Sequence, residues 1–480
     1  MNRVLAVDQG TTATKTYTLD TDGQFSFCNS VEHRQIYPRP GWVEHDPETL
    51  VSNVKNSIDA TGLIDAIGID NQGETVVAWD SKSGFPIYNA IVWQDQRTTD
   101  FTAKLKAKGA EEITLKLAGL PLDPYFSASK LRWILKNVSE AQTLLKKNRL
   151  RLGTSESFFI DRLTGEYATD VTTASRTSLM NLETCAWDPV LCSLFEIPIE
   201  ILPEIRPTTA HFGCIKSKDK DVPISASVVD QQAALMGHGC YKTGQIKVTF
   251  GTGVFALANV GTSVQSDHES GILSTVAWQF ADDKPVYAVD AGVYNAGSAV
   301  NWVRSIGLFN NFPEIDHFEN PPAASRGLVF VPALSGLACP FWDRTAAGLW
   351  LGISLETAKE DLCQAVLEGI ALRTAQLLDA IDSLTGSRGR LSVDGGLTHN
   401  SYFCQFLADV TQNEIVIPAS PDITPYGTGR FALIGSGLIK QLSDLPPAEE
   451  PKAIISPHQD ITGLKQRFGE AVMRSRNWRQ

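Results

Sequence analysis

Val4-Leu5-Ala6-Val7-Asp8-Gln9-Gly10-Thr11-Thr12-Ala13-Thr14-Lys15-Thr16-Tyr17-Thr18-Leu19 reads as strand, turn, strand. Val4 to Asp8 is apolar and closes on an acid. Gln9 to Thr14 is small and polar, and Thr16 to Leu19 resumes the strand. The other half opens in the same way, with Ile246 to Phe250, then Gly251-Thr252-Gly253, then Val254 to Ala258. Two such units half a chain apart predict two related domains. A chain of 480 residues is also too long for one ordinary core. Gly237, Gly239 and Gly244 break the pattern between them, so the domains are expected at 1–238 and 239–480.

Helical periodicity follows the strands in each half. Ser129 to Asn137 carries Leu131, Ile134 and Leu135 on one face, and Asp361 to Asp382 carries Leu362, Val366, Ile370, Leu377 and Ile381. Strands mixed with helices define an α/β class. Lys216 to Asp221 is charged and short, and reads as a solvated loop.

Composition narrows the function classes. The net charge of −12 disfavours nucleic acid and anionic membrane surfaces as partners, because both attract a basic footprint. No stretch reaches the roughly 20 apolar residues of a membrane span. Met1 to Asp8 lacks the apolar run and cleavage site of a secretory signal. Eight cysteines without a Cys-x-x-Cys pair or zinc spacing fit reduced thiols in a cytoplasmic protein.

The chemistry is expected at Asp230, in Val228-Val229-Asp230-Gln231-Gln232-Ala233-Ala234-Leu235. This run reads as a strand that ends in an acid and enters a helix, which sets a carboxylate on rigid backbone. A Gly-Thr turn alone fits a plain hairpin. Its functional reading is that glycine admits backbone N–H groups to a phosphate while threonine adds donors. Asp8 could hold Mg²⁺ through water, since Mg²⁺ keeps most of its waters, and Lys15 could neutralise phosphate charge. Val393-Asp394-Gly395-Gly396, with Asn400 beyond, reads as strand, glycine pair and helix start, a flat surface for a base or ribose. A base flanked by two phosphate turns points to phosphoryl transfer to a hydroxyl.

Two longer segments carry a family resemblance. They are Tyr125 to Asn137 (Tyr-Phe-Ser-Ala-Ser-Lys-Leu-Arg-Trp-Ile-Leu-Lys-Asn), and Gly348-Leu-Trp-Leu-Gly-Ile353 followed by Asp361 to Glu368. The chain resembles the FGGY carbohydrate kinases over about Val4 to Leu438. Gly41 to Pro47, Tyr88 to Asp95, Asp123 to Ser127, Ala174 to Thr177 and Asp230 to Leu235 are most similar to the glycerol kinase branch. The resemblance implies two actin-like (ribonuclease H-like) ATPase domains around a central cleft, with ATP and Mg²⁺ as cofactors and a small polyol or sugar as substrate. It puts Asp230 on the general base. Thr11, Thr12, Lys15 and Thr252 fall on phosphate positions, and Gly297, Asn301, Gly396 and Asn400 on nucleotide positions. Asp8 falls on the metal position. Gly73, Glu74, Trp93, Tyr125, Gln231 and Phe255 fall on the polyol pocket, although Trp93 and Phe255 alone would pass for core residues. Glycerol kinase itself is the alternative, and an actin-like ATPase or an inactive sensor is a further one. Homodimer and homotetramer both stay open.

The departures from the branch are specific. Asn71-Gln72-Gly73-Glu74-Thr75 has glycine where glycerol kinases carry arginine before this glutamate. That loss is expected to leave a hole that admits a substrate longer than glycerol. Asp70 and Asp95 also differ, and Val229 replaces a glycine. Tyr426-Gly-Thr-Gly-Arg430 is expected in the nucleoside wall. Lys216 to Pro223 lacks the glycine-rich, arginine-bearing loop that binds fructose bisphosphate in some members.

Overall fold

The computed structural model of the chain describes residues 2–217, 220–265, 271–386 and 389–479. Strand β1 (Arg3–Gln9) turns into β2 (Ala13–Asp20), and β3 (Phe25–Glu32) adds to the same side. On the other side of β1 lies β4 (Ala66–Asn71), parallel to it. The sheet finishes with β6 (Lys220–Val229), parallel to β4, and β5 (Cys214–Ser217), antiparallel to β6. The order is β5-β6-β4-β1-β2-β3.

The second sheet repeats that plan. It contains β7 (Ile246–Phe250), β8 (Val254–Gly261), β9 (Leu273–Trp278), β10 (Val286–Val293), β11 (Leu391–Gly395), β12 (Ile415–Ile417) and β13 (Ala453–Ile455). Its order is β9-β10-β8-β7-β11-β12-β13. The β7–β8 hairpin takes the place of β1–β2, and β7-β11-β12 are parallel as β1-β4-β6 are. The repeat expected from the two Gly-Thr turns is therefore a repeat of topology, with β9 added at one edge.

The parallel strands decide where a ligand can sit. In open α/β sheets ligands gather beyond the carboxyl ends of the parallel strands. Those ends carry Asp8, Asn71 and Val229-Asp230 in one sheet, and Phe250 and Gly395 in the other. An inserted four-stranded sheet (Glu44–His45, Val76–Asp80, Ala90–Ile91, Leu150–Thr154) packs on helix α1 (Ser127–Asn137). This insert carries Trp93 and Tyr125 to the same side.

Helix α2 (Asp230–Gly237) follows β6, and α3 (Gly297–Ser305) follows β10. Helix α4 (Lys359–Thr385) spans the expected segment with a few residues added at each end. It buries Val366, Ile370, Leu377 and Ile381 in the second core and leaves Leu362 partly covered. Helix α5 (Ser401–Thr411) starts at Asn400, whose side chain accepts from the Phe403 N–H.

Helix α6 (Ile423–Gly435) corrects one expectation. Tyr426 to Arg430 lies inside this helix and is buried, so it forms no nucleoside wall. Phe431, Ala432 and Leu433 join Val4, Leu19, Ala66 and Val228 in a core against the first sheet. The glycines serve close approach here. A Cβ on Gly427 would lie 1.8 Å from the Ala233 carbonyl oxygen, and one on Gly435 would lie 1.9 Å from that of Ser225. Lys216 to Asp221 is a second correction. Cys214–Ser217 and the start of β6 pair as a hairpin at the sheet edge, Lys216 opposite Asp221, so the described charges belong to paired strands. Positions 218 and 219 of that run lie outside the described residues.

Candidate active site

The first turn is pinned by its own backbone. Gly10 N–H donates to Ala13 O at 3.0 Å, and His33 N–H donates to Thr12 O at 3.0 Å. Thr12 is exposed, Thr11 is partly exposed, and the Thr11 hydroxyl accepts from Trp93 Nε1 at 3.1 Å. Lys15 faces Asp422 at 3.4 Å. Asp8 and Asp70 stand opposite each other on the neighbouring parallel strands β1 and β4. Burial pushes Asp8 up to about 6, against a hydrogen bond with Asp70 and the charge of Lys15. Burial and the charge of Asp8 raise Asp70 further above its ordinary value. Thr428 Oγ1 donates to Asp70 Oδ2 at 2.5 Å, and Asp70 Oδ1 has no partner. A partly exposed and a buried carboxyl, with a free oxygen on the latter, suit a divalent cation held largely by its own water. Among the described residues no cluster of three acidic, histidine or cysteine side chains forms a closed metal cage.

Two cavities meet at the second turn. One is about 600 Å³ and is lined by Gly251, Thr252, Gly297, Asn301, Gly396 and Asn400, among others. It therefore brings together Thr252 and all four residues expected to contact the nucleotide. Gly251 and Gly396 open onto it, since a Cβ on either would meet nothing within 4 Å. Gly297 packs tightly instead, because its Cβ would sit 2.6 Å from the Gly251 carbonyl oxygen. The other cavity is about 610 Å³, with Trp93, Tyr125, Phe255, Arg176, Asp290 and Thr252 in its wall. Thr252 lines both.

The second cavity is rigidly built. Trp93 and Tyr125 meet edge to face with centroids 5.8 Å apart. Lys130, fully buried, donates to the carbonyls of Pro124 at 2.9 Å and Phe126 at 3.1 Å, and also to that of Tyr125. This clamps the turn that carries Tyr125. Glu74 lies just behind the wall in a left-handed conformation (φ 59°), bridged by a Thr75 N–H to Gly73 O bond of 2.8 Å. Such a three-residue turn is strained for a residue with a side chain, and strain of this kind clusters at functional sites. Burial raises Glu74, while Arg176 pulls it down. Arg176 Nε donates to Glu74 Oε1 at 2.7 Å, and its Nη2 pairs with Asp290 at 3.0 Å.

Asp230 begins α2, where the backbone N–H of Gln231 donates to its Oδ1 at 2.6 Å. Burial, then the charge of Glu74, push Asp230 up to about 7, and Lys247 and the Gln231 N–H restrain the rise. Lys247 is wholly buried on β7 and donates to Gln231 Oε1 at 2.5 Å. The amide oxygen of Gln231 is thus taken, which leaves its N–H₂ for the cleft.

Gly73 leaves no hole. It is buried beneath Val229, and a Cβ added there would lie 2.7 Å from Val229 Cγ2. The two departures form one steric exchange: a side chain is lost at 73 and gained at 229. Gly73 is not in the cavity wall. Sequence reading gave no role to Arg176, Asp290 or Lys247. Lys247 had a signal, as a lysine within the apolar run Ile246 to Phe250. Arg176 and Asp290 had none beyond Arg176's place in the Ala174 to Thr177 run.

Comparison with known proteins fits this geometry. Residues 3–237 match the N-terminal domain of the FGGY family of carbohydrate kinases, and residues 246–435 match its C-terminal domain. The chain belongs to the FGGY family of carbohydrate kinases and is an ATP-dependent phosphotransferase to an alcohol group. It is 37% identical to a glycerol kinase of Thermococcus onnurineus over 489 residues, covering 99% of this chain and 98% of that one. It is 38% identical to a glycerol kinase of Mycoplasma pneumoniae over 500 residues, covering 99% and 98%. The crystal structure of Plasmodium falciparum glycerol kinase with ADP superposes with a TM-score of 0.92 at 32% identity, covering 99% and 98%. A xylulose kinase from Lactobacillus acidophilus shares the fold, with a TM-score of 0.88 at 24% identity and coverage of 99% and 97%. Among the described residues no helix is long and apolar enough to cross a membrane.

Proposed function

We propose that the chain moves the terminal phosphoryl group of ATP to a hydroxyl of a small neutral polyol or sugar, with Asp230 as general base. The observation that carries this reading is Thr252, which lines both cavities at their junction. A phosphoryl donor in one cavity and a hydroxyl in the other would meet there. Asp230 accepts the hydroxyl proton as the new O–P bond forms and the bond to the departing ADP breaks. General-base help of this kind is worth about 10²–10⁴-fold, and positioning and charge neutralisation supply the rest. Thr11, Thr12, Lys15 and Thr252 would receive the phosphates, and Gly297, Asn301, Gly396 and Asn400 the nucleoside. Asp8, with Asp70 beside it, would hold Mg²⁺ through water, and the ion would neutralise phosphate charge. Glu74, Tyr125 and Gln231 would meet substrate hydroxyls between the apolar walls of Trp93 and Phe255.

Our reading of the substrate is a four- or five-carbon polyol or ketose. No guanidinium stands at 73, and a cavity of about 610 Å³ is in the range of pockets that enclose whole small ligands, roughly 300–1,000 Å³. Glycerol is the second reading, favoured by the relatives' names. Eight free cysteines accord with a reducing cytoplasm. The test is Asp230→Asn. Calorimetry should show ATP and substrate binding retained, with kcat lowered at least about 100-fold. A near-normal kcat would remove Asp230 from the mechanism.

A further inference from the structure

We propose that Arg176 is a specificity-determining residue of the substrate cavity: its Nη1 donates to an oxygen of a neutral polyol or sugar while Glu74 and Asp290 hold the guanidinium in place. The proposal rests on the kinase reading of that cavity and deepens it. Arg176 lines the cavity, yet its side chain is only 6% exposed. Nε is committed to Glu74 at 2.7 Å and Nη2 to Asp290 at 3.0 Å. A guanidinium has five N–H donors in a planar fork. Among the described residues Nη1 makes no hydrogen bond, and it is not among the sealed polar atoms that lack a partner. Nη1 is therefore a fixed donor open to the cavity. The rings of Tyr125 and Phe126, 5.8 and 5.4 Å from the guanidinium carbon, keep it from swinging away. Position 73 cannot supply a second donor of this type, because Val229 occupies the space its side chain would need.

Charge sets the ligand class. Around the cavity Glu74, Asp290, Asp230 and Asp123 stand against Arg176, Arg344 and the buried Lys247, so acids outnumber bases. An anionic substrate would find Arg176 already neutralised by two carboxylates and Arg344 already paired with Asp123. A neutral hydroxylated substrate needs only the remaining donor, with Glu74 and Asp290 accepting beside it.

The experiment measures ADP release by the full chain with glycerol, erythritol, xylitol and xylulose as neutral probes and gluconate as the anionic one. Arg176→Met should raise KM for the best neutral probe about 10- to 100-fold, the weight of a hydrogen bond from a charged donor. KM for ATP should stay within about twofold, because such a loss is uniform binding at the substrate side. Arg176→Lys keeps a cation between the two carboxylates without the fork, and should show a similar rise. It also serves if Arg176→Met does not fold. A folded variant with an unchanged substrate KM overturns the proposal, as does a wild type that prefers gluconate. Failure of both variants to fold would assign Arg176 to structure alone and overturn it too. Absence of turnover by wild type on every probe would refute the kinase reading itself, and with it this one.

Discussion

A methyl group placed on residue 73 would be driven into Val229. The Cβ would lie 2.7 Å from Val229 Cγ2, well inside van der Waals contact, and both residues are buried. Overpacking of this kind costs about 1–3 kcal/mol. Gly73 does not sit in the left-handed region, so a small gain of about 0.4–1 kcal/mol from the stiffer unfolded chain offsets part of it. Val229→Ala removes two methyl groups and costs about 1–3 kcal/mol, taking roughly 0.5–1.5 per methyl. In the double variant the alanine at 73 should fill space that the valine vacates. Its cost should therefore fall short of the sum of the single costs by about 1 kcal/mol or more. Thermal unfolding of the four proteins reads this, at roughly 2–4 °C per kcal/mol for a domain of this size. Costs that add within about 0.5 kcal/mol would mean the two side chains do not compete for one space. The same geometry bears on substrate choice. Gly73→Arg alone should leave the preference for glycerol where it is and lower stability, whereas Gly73→Arg with Val229→Gly should raise kcat/KM for glycerol relative to longer substrates. A shift with the single variant would contradict the steric account.

Three further outcomes are expected. A base pushed up to about 7 is protonated, and so idle, on the acid side of that value. The profile of kcat/KM should therefore fall tenfold per unit below about pH 7 and flatten above it; a profile flat down to pH 5 would contradict this. Lys247→Met removes a charge that holds Asp230 down, so the acid limb should move to higher pH, and a stationary limb would mean the ammonium does not act on the base. Phosphoryl transfer without hydrolysis needs water kept from the donor, so small-angle scattering should show compaction when an ATP analogue and substrate are both present, and identical profiles would count against closure.

The fold was legible where local chemistry and tertiary role agreed. Apolar runs broken by Gly-Thr turns marked both hairpins, and helical spacing marked Lys359–Thr385 almost to its ends. The edge strand at Cys214–Ser217 was misread because Lys216 faces water and four residues are too few to show alternation. Tyr426 to Arg430 was misread as nucleoside wall because a glycine that admits a packed neighbour, as Gly427 admits the Ala233 backbone, looks in sequence like one that opens onto a ligand. Most residues lining the first cavity were legible because Thr252, Gly297, Gly396 and Asn400 each stand at a glycine turn or helix start after a strand. The Gly73–Val229 exchange was hidden because each residue makes sense only beside the other, and they are distant in sequence. The Arg176–Glu74–Asp290 group was hidden for the same reason: three separate elements meet only in the folded chain.

Phosphoryl transfer to a polyol or sugar is read directly by ADP release coupled to mass analysis of the product, across a panel of polyols, ketoses and aldoses with ATP and Mg²⁺. ADP should form in step with a singly phosphorylated neutral polyol or sugar, with a four- or five-carbon substrate giving the highest kcat/KM. ATP hydrolysis with no phosphorylated product on any substrate would contradict it.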